Sequence, residues 1–163
     1  MAKIALVRID NRLIHGQVVT GYIGKIGVSK IVVIDDKTAG NEFARDVLAL
    51  AVPPGATHEV YSIAEAAEKW QEDEFGPGSV MVIFKSIPTA YESYNKGFHY
   101  ESLMVGCTAV GADRVKIEGA ISLNKEEAAM LDELEASGVD VFFQQTAQTL
   151  LSSWKDIKKN HHL

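Results

Sequence analysis

Short runs of Val, Ile and other apolar residues recur along the chain, separated by stretches in which apolar residues have a helical spacing. A continuous apolar run is typical of a strand buried on both faces, as in a parallel sheet. Seven runs predict strands: Ile4–Val7, Ile31–Ile34, His58–Tyr61, Val80–Phe84, Leu103–Val105, Val115–Ile117 and Val139–Phe143. We expect all seven in one sheet.

Helical segments fill most of the intervals between these strands. Apolar positions three and four apart predict helices over 18–26, 43–50, Ile63–Asp73, Thr89–Lys96, Lys125–Ala136 and Ala147–Lys158. Ser62 and Asn124 stand where a side-chain oxygen would cap a helix start, and Gly27 stands where a helix should end. The alternation predicts an α/β fold: a three-layer sandwich with an open, mainly parallel sheet of about seven strands and helices on both faces.

The length and the turn residues indicate one domain over residues 1–163. A chain of 163 residues matches one ordinary domain, and Pro53-Pro54-Gly55 and Gly76-Pro77-Gly78 are no longer than turns. With 16 Lys and Arg against 22 Asp and Glu the net charge is -6. This balance disfavours a dedicated nucleic-acid binder, because no global cationic field would hold a phosphate backbone.

Cysteine usage and the N-terminus indicate a reducing, cytoplasmic setting. The single cysteine, Cys107, excludes an internal disulfide, and it has no neighbour at zinc-ligand spacing. We interpret it as a small buried apolar residue. The first apolar run is too short for a signal peptide, and no run is long enough to span a membrane.

The densest chemistry lies where the first predicted strand ends, in the segment Arg8–Gln17. In one interpretation it is a solvated loop whose two arginines pair with Asp10. In the other it is an anion site, in which Arg8 and Arg12 bind phosphate oxygens and the helix start at Gly16 and Gln17 adds backbone amides and a positive dipole end.

The same segment contains a candidate nucleophile, His15. Two guanidinium groups and a helix N-terminus should disfavour its charged form, which would leave a ring lone pair free to attack phosphorus. Asp10 could accept a hydrogen bond from the other ring nitrogen, and the arginines would stabilise the transferring phosphoryl group. Gly16 would let a ligand approach the backbone closely.

The run RIDNRLIHGQV, Arg8 to Val18, resembles the phosphorylation-site motif of the IIB component of the mannose–fructose–sorbose family of the bacterial sugar phosphotransferase system. The similarity extends to segments along the whole chain: 30–36, 53–55, 85–89 and 137–141. It implies a phosphocarrier enzyme, in which a phosphorylated IIA protein donates a phosphoryl group to Nδ1 of His15. His15 would pass that group to a sugar delivered by the IIC and IID membrane components. The resemblance also places Asp10 and Arg12 beside the histidine.

Three segments depart from the family's pattern. Asn11 stands where members often have an acidic residue, which changes the charge of the loop. The stretch 106–109 differs from the family's usual Asn- and Gly-rich segment, and 144–146 lacks the usual proline-containing turn. These departures bear on partner or sugar specificity more than on the phosphocarrier role.

Polar residues after two further strands are candidates for lining a cleft beside the first loop, since parallel strands end at the same edge of the sheet. They are Asp35, Asp36, Lys85, Ser86 and Thr89. The alternative is that they are turn residues. Asp35-Asp36 also suggests a magnesium-dependent receiver, but the pair follows the second strand and lacks a suitably placed third aspartate.

The sequence gives no reason to expect a metal or another cofactor. The glycines at 21, 24 and 27 have the wrong spacing for a dinucleotide-binding turn, and the remaining histidines have no metal-ligand spacing. Two hypotheses therefore remain: a phosphoryl carrier on His15, or a noncatalytic anion-binding module that uses the same loop. In the first, partners are a phospho-IIA protein and IIC and IID, with the sugar bound by the membrane components.

Overall fold

The computed structural model describes residues 2–163, apart from the side chains of Ala2, Gln17 and Val18. The strands are β1 Ala2–Asp10, β2 Lys30–Ile34, β3 Thr57–Tyr61, β4 Gly78–Phe84, β5 Ser102–Cys107, β6 Val115–Glu118, β7 Ile121–Leu123, β8 Asp140–Phe143 and β9 Ser152–Ser153. The helices are α1 Gly16–Ile26, α2 Asp36–Ala39, α3 Glu42–Ala51, α4 Ile63–Asp73, α5 Ile87–Asn95, α6 Lys125–Ala136 and α7 Trp154–His161.

Seven of the strands form one sheet in the order β3-β2-β4-β1-β5-β8-β9. Its pairs are parallel except β8 with β9. β1 lies in the interior of the sheet, where Ile9 is opposite Phe84 on one side and Val105 on the other. The loop that follows β1 therefore emerges between the ends of two neighbouring strands.

Apolar side chains cover both faces of the sheet, which confirms the three-layer α/β sandwich. Along β4, Val82 and Phe84 pack into a core covered by α4 to α7, and Met81 and Ile83 pack into a second core with residues of α1 and α3. Each of these side chains is almost fully buried, and burial of one such side chain contributes roughly 1.5–3 kcal/mol. Two buried faces explain the continuous apolar runs.

Membership of the sheet differs from the prediction in one strand. The run Val115–Ile117 lies in β6, which pairs antiparallel with β7 in a separate hairpin, so its place in the main sheet was wrong. In β6 only Ile117 is buried, since Val115 and Lys116 face solvent. Its place among the seven is taken by β9, a two-residue strand at the edge.

The predicted helix Ala147–Lys158 begins later than expected, at Trp154. Thr146 and Thr149 form a turn, in which the Thr149 hydroxyl donates to the Thr146 carbonyl at 2.9 Å. Ser153 caps the helix by accepting a hydrogen bond from the amide of Asp156. The preceding leucines, Leu150 and Leu151, are exposed, so they supply no apolar face to a helix.

The N-terminal part of the chain differs from the prediction in the end of the first strand and in one additional helix. The first strand runs to Asp10 instead of Val7, so Arg8 and Asp10 belong to the sheet and the loop begins at Asn11. A short helix that the sequence analysis missed, α2, follows β2, and the Asp35 carboxylate caps it by accepting from the Thr38 amide at 3.0 Å.

Candidate functional site

The loop between β1 and α1 is fixed by its own backbone hydrogen bonds. The amide of Asn11 donates to the Cys107 carbonyl at 3.1 Å, and the amide of Leu13 donates to the Asp10 carbonyl at 3.0 Å. Leu13 has a positive φ of 61° and yet is buried, so packing maintains a backbone conformation that costs a non-glycine residue about 1 kcal/mol or more. The turn brings His15 to the N-cap of α1.

His15 is held by Asp10. Its Nε2 lies 3.1 Å from Asp10 Oδ2, and a quarter of the side chain is exposed. An ionised carboxylate can only accept, so Nε2 is the donor in this contact, and the neutral ring with this tautomer has its lone pair on Nδ1. The imidazole also makes no capping hydrogen bond to the helix. The arrangement therefore leaves Nδ1 without a partner among these contacts.

Two arginines and the histidine converge on the Asp10 carboxylate, which is 1% exposed. Arg8 donates to Oδ2 at 3.3 Å, and Arg12 donates to Oδ1 through its Nε at 3.2 Å. Burial by itself would raise the pKa of Asp10, but hydrogen bonds from Arg12 and His15 and the charge of Arg8 together lower it below its ordinary value. Asp10 is thus ionised. The formal charges of Arg8, Arg12 and Asp10 sum to about +1.

Arg8 lies behind this carboxylate and not at the surface. The side chain is 0% exposed, and its guanidinium also donates to the carbonyls of Gln144 at 2.8 Å and Gln145 at 2.7 Å. The guanidinium carbon stands 5.4 Å from the centre of the Tyr22 ring. The structure therefore gives Arg8 internal partners, whereas the sequence analysis expected it to bind phosphate. Arg12 is 47% exposed and is accessible to an anion.

Gly16 and Gln17 form the start of α1. Gly16 is exposed, and a side chain there would meet no atom of the described residues within 4 Å, so the protein itself imposes no need for glycine at this position. The side chain of Gln17, expected to contribute to phosphate binding, is outside the described part of the chain.

The five predicted cleft residues do lie together. They line one cleft of about 460 Å³ that also includes Asn11 of the loop. The members are Asp35, Asp36, Lys85, Ser86 and Thr89. Three of them also have structural contacts. Asp35 caps α2, the Ser86 hydroxyl accepts from the Thr89 amide at 3.3 Å to cap α5, and Asp36 accepts from the amide of Ile63 at 2.8 Å. Turn formation and cleft lining therefore coexist.

Three residues that surround the loop were not predicted from the sequence: Cys107 of β5, Gln144 directly after β8 and Tyr22 of α1. Cys107 contacts Asn11, and the Tyr22 hydroxyl donates to the side chain of Gln144 at 2.8 Å. Position could have identified Cys107 and Gln144, since both lie at the carboxyl ends of strands on the same edge as His15. Nothing in the spacing of Tyr22 distinguishes it from a core residue.

No group of three or more metal-ligating side chains comes together within residues 2–163. In the same range, no helix is long and apolar enough to cross a membrane.

The fold and the site define a class of α/β sandwich proteins with a histidine in the loop after a central parallel strand, held there by a carboxylate that two arginines also contact. The family model for the sorbose subfamily IIB component of the sugar phosphotransferase system matches residues 4–163. The chain therefore belongs to this family of IIB components, which act in phosphotransfer during sugar uptake. The family assignment made from the motif is confirmed.

Individual relatives support the same family assignment. The sorbose-specific EIIB component of Klebsiella pneumoniae is 28% identical over 137 residues, 84% of each chain. The mannose-specific EIIAB component of Escherichia coli K12 is 28% identical over 138 residues, and the match spans only 43% of that longer protein. The crystal structure of manxB from Thermoanaerobacter tengcongensis is 30% identical, with a TM-score of 0.93 over 100% of this chain and 99% of that chain.

Proposed function

We propose that His15 is the phosphoryl carrier of this IIB component and that it acts in the cytoplasm. Nδ1 attacks phosphorus of a phosphorylated IIA partner, forming an N–P bond as the bond from phosphorus to the donor's leaving group breaks. A sugar hydroxyl presented by the IIC and IID components then forms an O–P bond as the N–P bond breaks, and the hydroxyl proton is released. The single observation that carries this assignment is the 3.1 Å contact of Nε2 with Asp10, which leaves Nδ1 available.

Arg12 is proposed to bind the phosphoryl group during transfer. Its guanidinium is anchored to Asp10 and is nearly half exposed, so it can direct donors to the equatorial oxygens of an in-line transition state. The net positive charge of Arg8, Asp10 and Arg12 favours the doubly charged phosphoryl form of His15. A lysine at position 12 would offer a point charge without the planar array of donors.

The IIA partner is proposed to dock transiently around the His15 loop. Arg12 and Lys85, both exposed at this edge of the sheet, suit an acidic rim on the donor protein. Such contacts are screened by salt, so transfer should slow as ionic strength rises. The sugar is proposed to be of the kind that the relatives' names specify, such as mannose or sorbose, with its identity set by the membrane components.

The test is phosphorylation in the complete system. The protein is incubated with phosphoenolpyruvate, the two general phosphotransferases and a mannose-family IIA protein, and its intact mass is measured under mildly alkaline conditions that protect phosphohistidine. We expect one added phosphoryl group on the His15 peptide. His15→Ala should remove it, and His99→Ala, a change at an exposed histidine that contacts the Tyr94 ring, should not.

Two results would contradict the proposal. If His15→Ala still accepted a phosphoryl group, the carrier would be another residue. If the unaltered protein accepted none from several IIA donors, yet bound inorganic phosphate, the loop would serve a noncatalytic anion-binding module. Arg12→Lys should be phosphorylated at the same residue but more slowly.

A further inference from the structure

Asn11 and Cys107 are joined by two hydrogen bonds at the base of the His15 loop. The backbone amide of Asn11 donates to the Cys107 carbonyl at 3.1 Å, and the Cys107 thiol donates to Asn11 Oδ1 at 3.0 Å. One contact fixes the main chain and the other fixes the side chain. Both residues stand where the sequence departs from the usual motif, so the structure brings two of these departures into contact.

The thiol is a donor in this setting. Cys107 is 5% exposed, and burial, followed by the nearby charge of Asp10, raises the pKa of its thiol. The S–H group therefore persists at neutral pH and requires an acceptor. The amide oxygen of Asn11 is a strong acceptor, whereas sulfur is a weak one. The favoured orientation of the amide directs Oδ1 towards sulfur and leaves Nδ2 on the other side.

Asn11 also lines the cleft that contains Asp36 and Lys85. Its side chain is half-buried, and Nδ2 makes no hydrogen bond to the residues of the range 2–163 whose side chains are described. In sequence Asn11 lies between Asp10, which holds His15, and Arg12, which is anchored on the same carboxylate. An amide donor without a partner among these residues therefore faces the cleft beside the His15 loop.

We propose that Cys107 is a positioning residue, which holds Asn11 so that Nδ2 donates a hydrogen bond to a phosphoryl oxygen during transfer. The proposal rests on the function of His15 proposed above. An aspartate at position 11 would replace this donor with an acceptor, and would cancel the net positive charge of the Arg8, Asp10 and Arg12 group. Asn11 thus adds a hydrogen-bond donor for the phosphoryl group and leaves the net positive charge of the loop unchanged.

The test is the single-turnover rate of transfer from a phosphorylated IIA protein to His15. Loss of one hydrogen bond to a charged group corresponds to a rate decrease of about tenfold to hundredfold. We expect that decrease in Asn11→Ala, with the half-saturating donor concentration nearly unchanged, and a larger one in Asn11→Asp. Cys107→Ser keeps a donor at position 107 and should transfer within about threefold of the unaltered protein, whereas Cys107→Ala should be about tenfold slower.

The matched pair Cys107→Ser and Cys107→Ala separates orientation of the amide from packing. Both substitutions remove the sulfur atom from the same buried site, and only serine keeps a hydrogen-bond donor there. Equal rates in these two variants, or an unchanged rate in Asn11→Ala, would overturn the proposal. Urea unfolding of each variant identifies those whose transfer rate falls because the protein is unfolded. Asn11→Ala, at a half-buried loop position, remains informative if the Cys107 variants unfold.

A second measurement does not depend on the carrier role. Titration with inorganic phosphate, followed by the NMR signals of His15, should give a dissociation constant about tenfold higher for Asn11→Ala than for the unaltered protein. If His15 is never phosphorylated but this difference is found, the carrier assignment fails and the donor role of Asn11 stands. An equal phosphate affinity in both proteins, with His15 phosphorylated at equal rates, rejects the donor role alone.

Discussion

Replacement of Arg8 by methionine tests whether the buried ion pair maintains the site. Arg8→Met keeps a long side chain and removes the guanidinium, which contacts the Asp10 carboxylate and the carbonyls of Gln144 and Gln145. Removal of one partner of a buried ion pair costs about 3–5 kcal/mol, because the other charge stays buried without compensation. Arg12 and His15 still contact Asp10, so we expect the free energy of unfolding to fall by about 3 kcal/mol, the lower end of this range.

Urea unfolding at neutral pH measures this loss. With a slope of about 2 kcal/mol per molar, the midpoint should fall by about 1.5 M at an unchanged slope. Arg12→Met is the matched control, because it removes a guanidinium from the same carboxylate at a position that is 47% exposed. Exposed ion pairs contribute about 0–1 kcal/mol, so its midpoint should move by less than about 0.5 M.

The double variant Arg8→Met/Asp10→Asn determines where the cost arises. If it comes from an unpaired buried charge, removal of both charges should recover part of the loss, and the double variant should be more stable than the sum of the single changes by about 2 kcal/mol. Strict additivity would refute the argument. So would a change below about 1 kcal/mol in Arg8→Met itself.

Three further outcomes are expected. A side chain at Gly106 would overlap the Arg8 guanidinium, so Gly106→Ala should destabilise by roughly 1–3 kcal/mol in urea unfolding. Asp10 has a lowered pKa, so its contribution to stability is complete above its ordinary pKa of 3.8 and is lost as pH falls through the lower folded value. The Asp10→Asn variant should therefore lose stability less steeply below about pH 4. Arg114→Gln leaves the buried Glu127 carboxylate without its 2.6 Å partner and should lower the melting temperature by roughly 5–10 °C.

The sheet and the location of the site follow from local sequence. β2 and β4 are buried on both faces, so almost every residue in them is apolar and the runs identify them directly. The cleft residues Asp35 and Lys85 could be grouped with the His15 loop because parallel strands end at one edge. The rule predicts which residues lie near one another at this edge, but it does not predict which atoms make contact.

Contacts between residues far apart in the sequence could not be predicted. Arg8 meets the carbonyl of Gln144, 136 residues away, and no periodicity in β1 indicates that a charged residue there would be fully buried. The run Val115–Ile117 was placed in the main sheet because a three-residue run of this composition is the same in a separate hairpin as in a sheet, and its partner strand β7 was not predicted. Leu150 and Leu151 suggested a helix, although they face solvent.

The way in which Arg8 holds the segment after β8 affects how that segment can be changed. Both of its hydrogen bonds there are to main-chain carbonyls, which every amino acid provides. Exchange of the side chains of Gln145 and Gln148 therefore removes no acceptor from Arg8. Thr146 and Thr149 hold the turn through their hydroxyls, and the side chain of Gln144 accepts from Tyr22. Substitutions at these two glutamines can then alter the surface of the segment while the backbone keeps its support of Arg8, and through it of the carboxylate that holds the histidine.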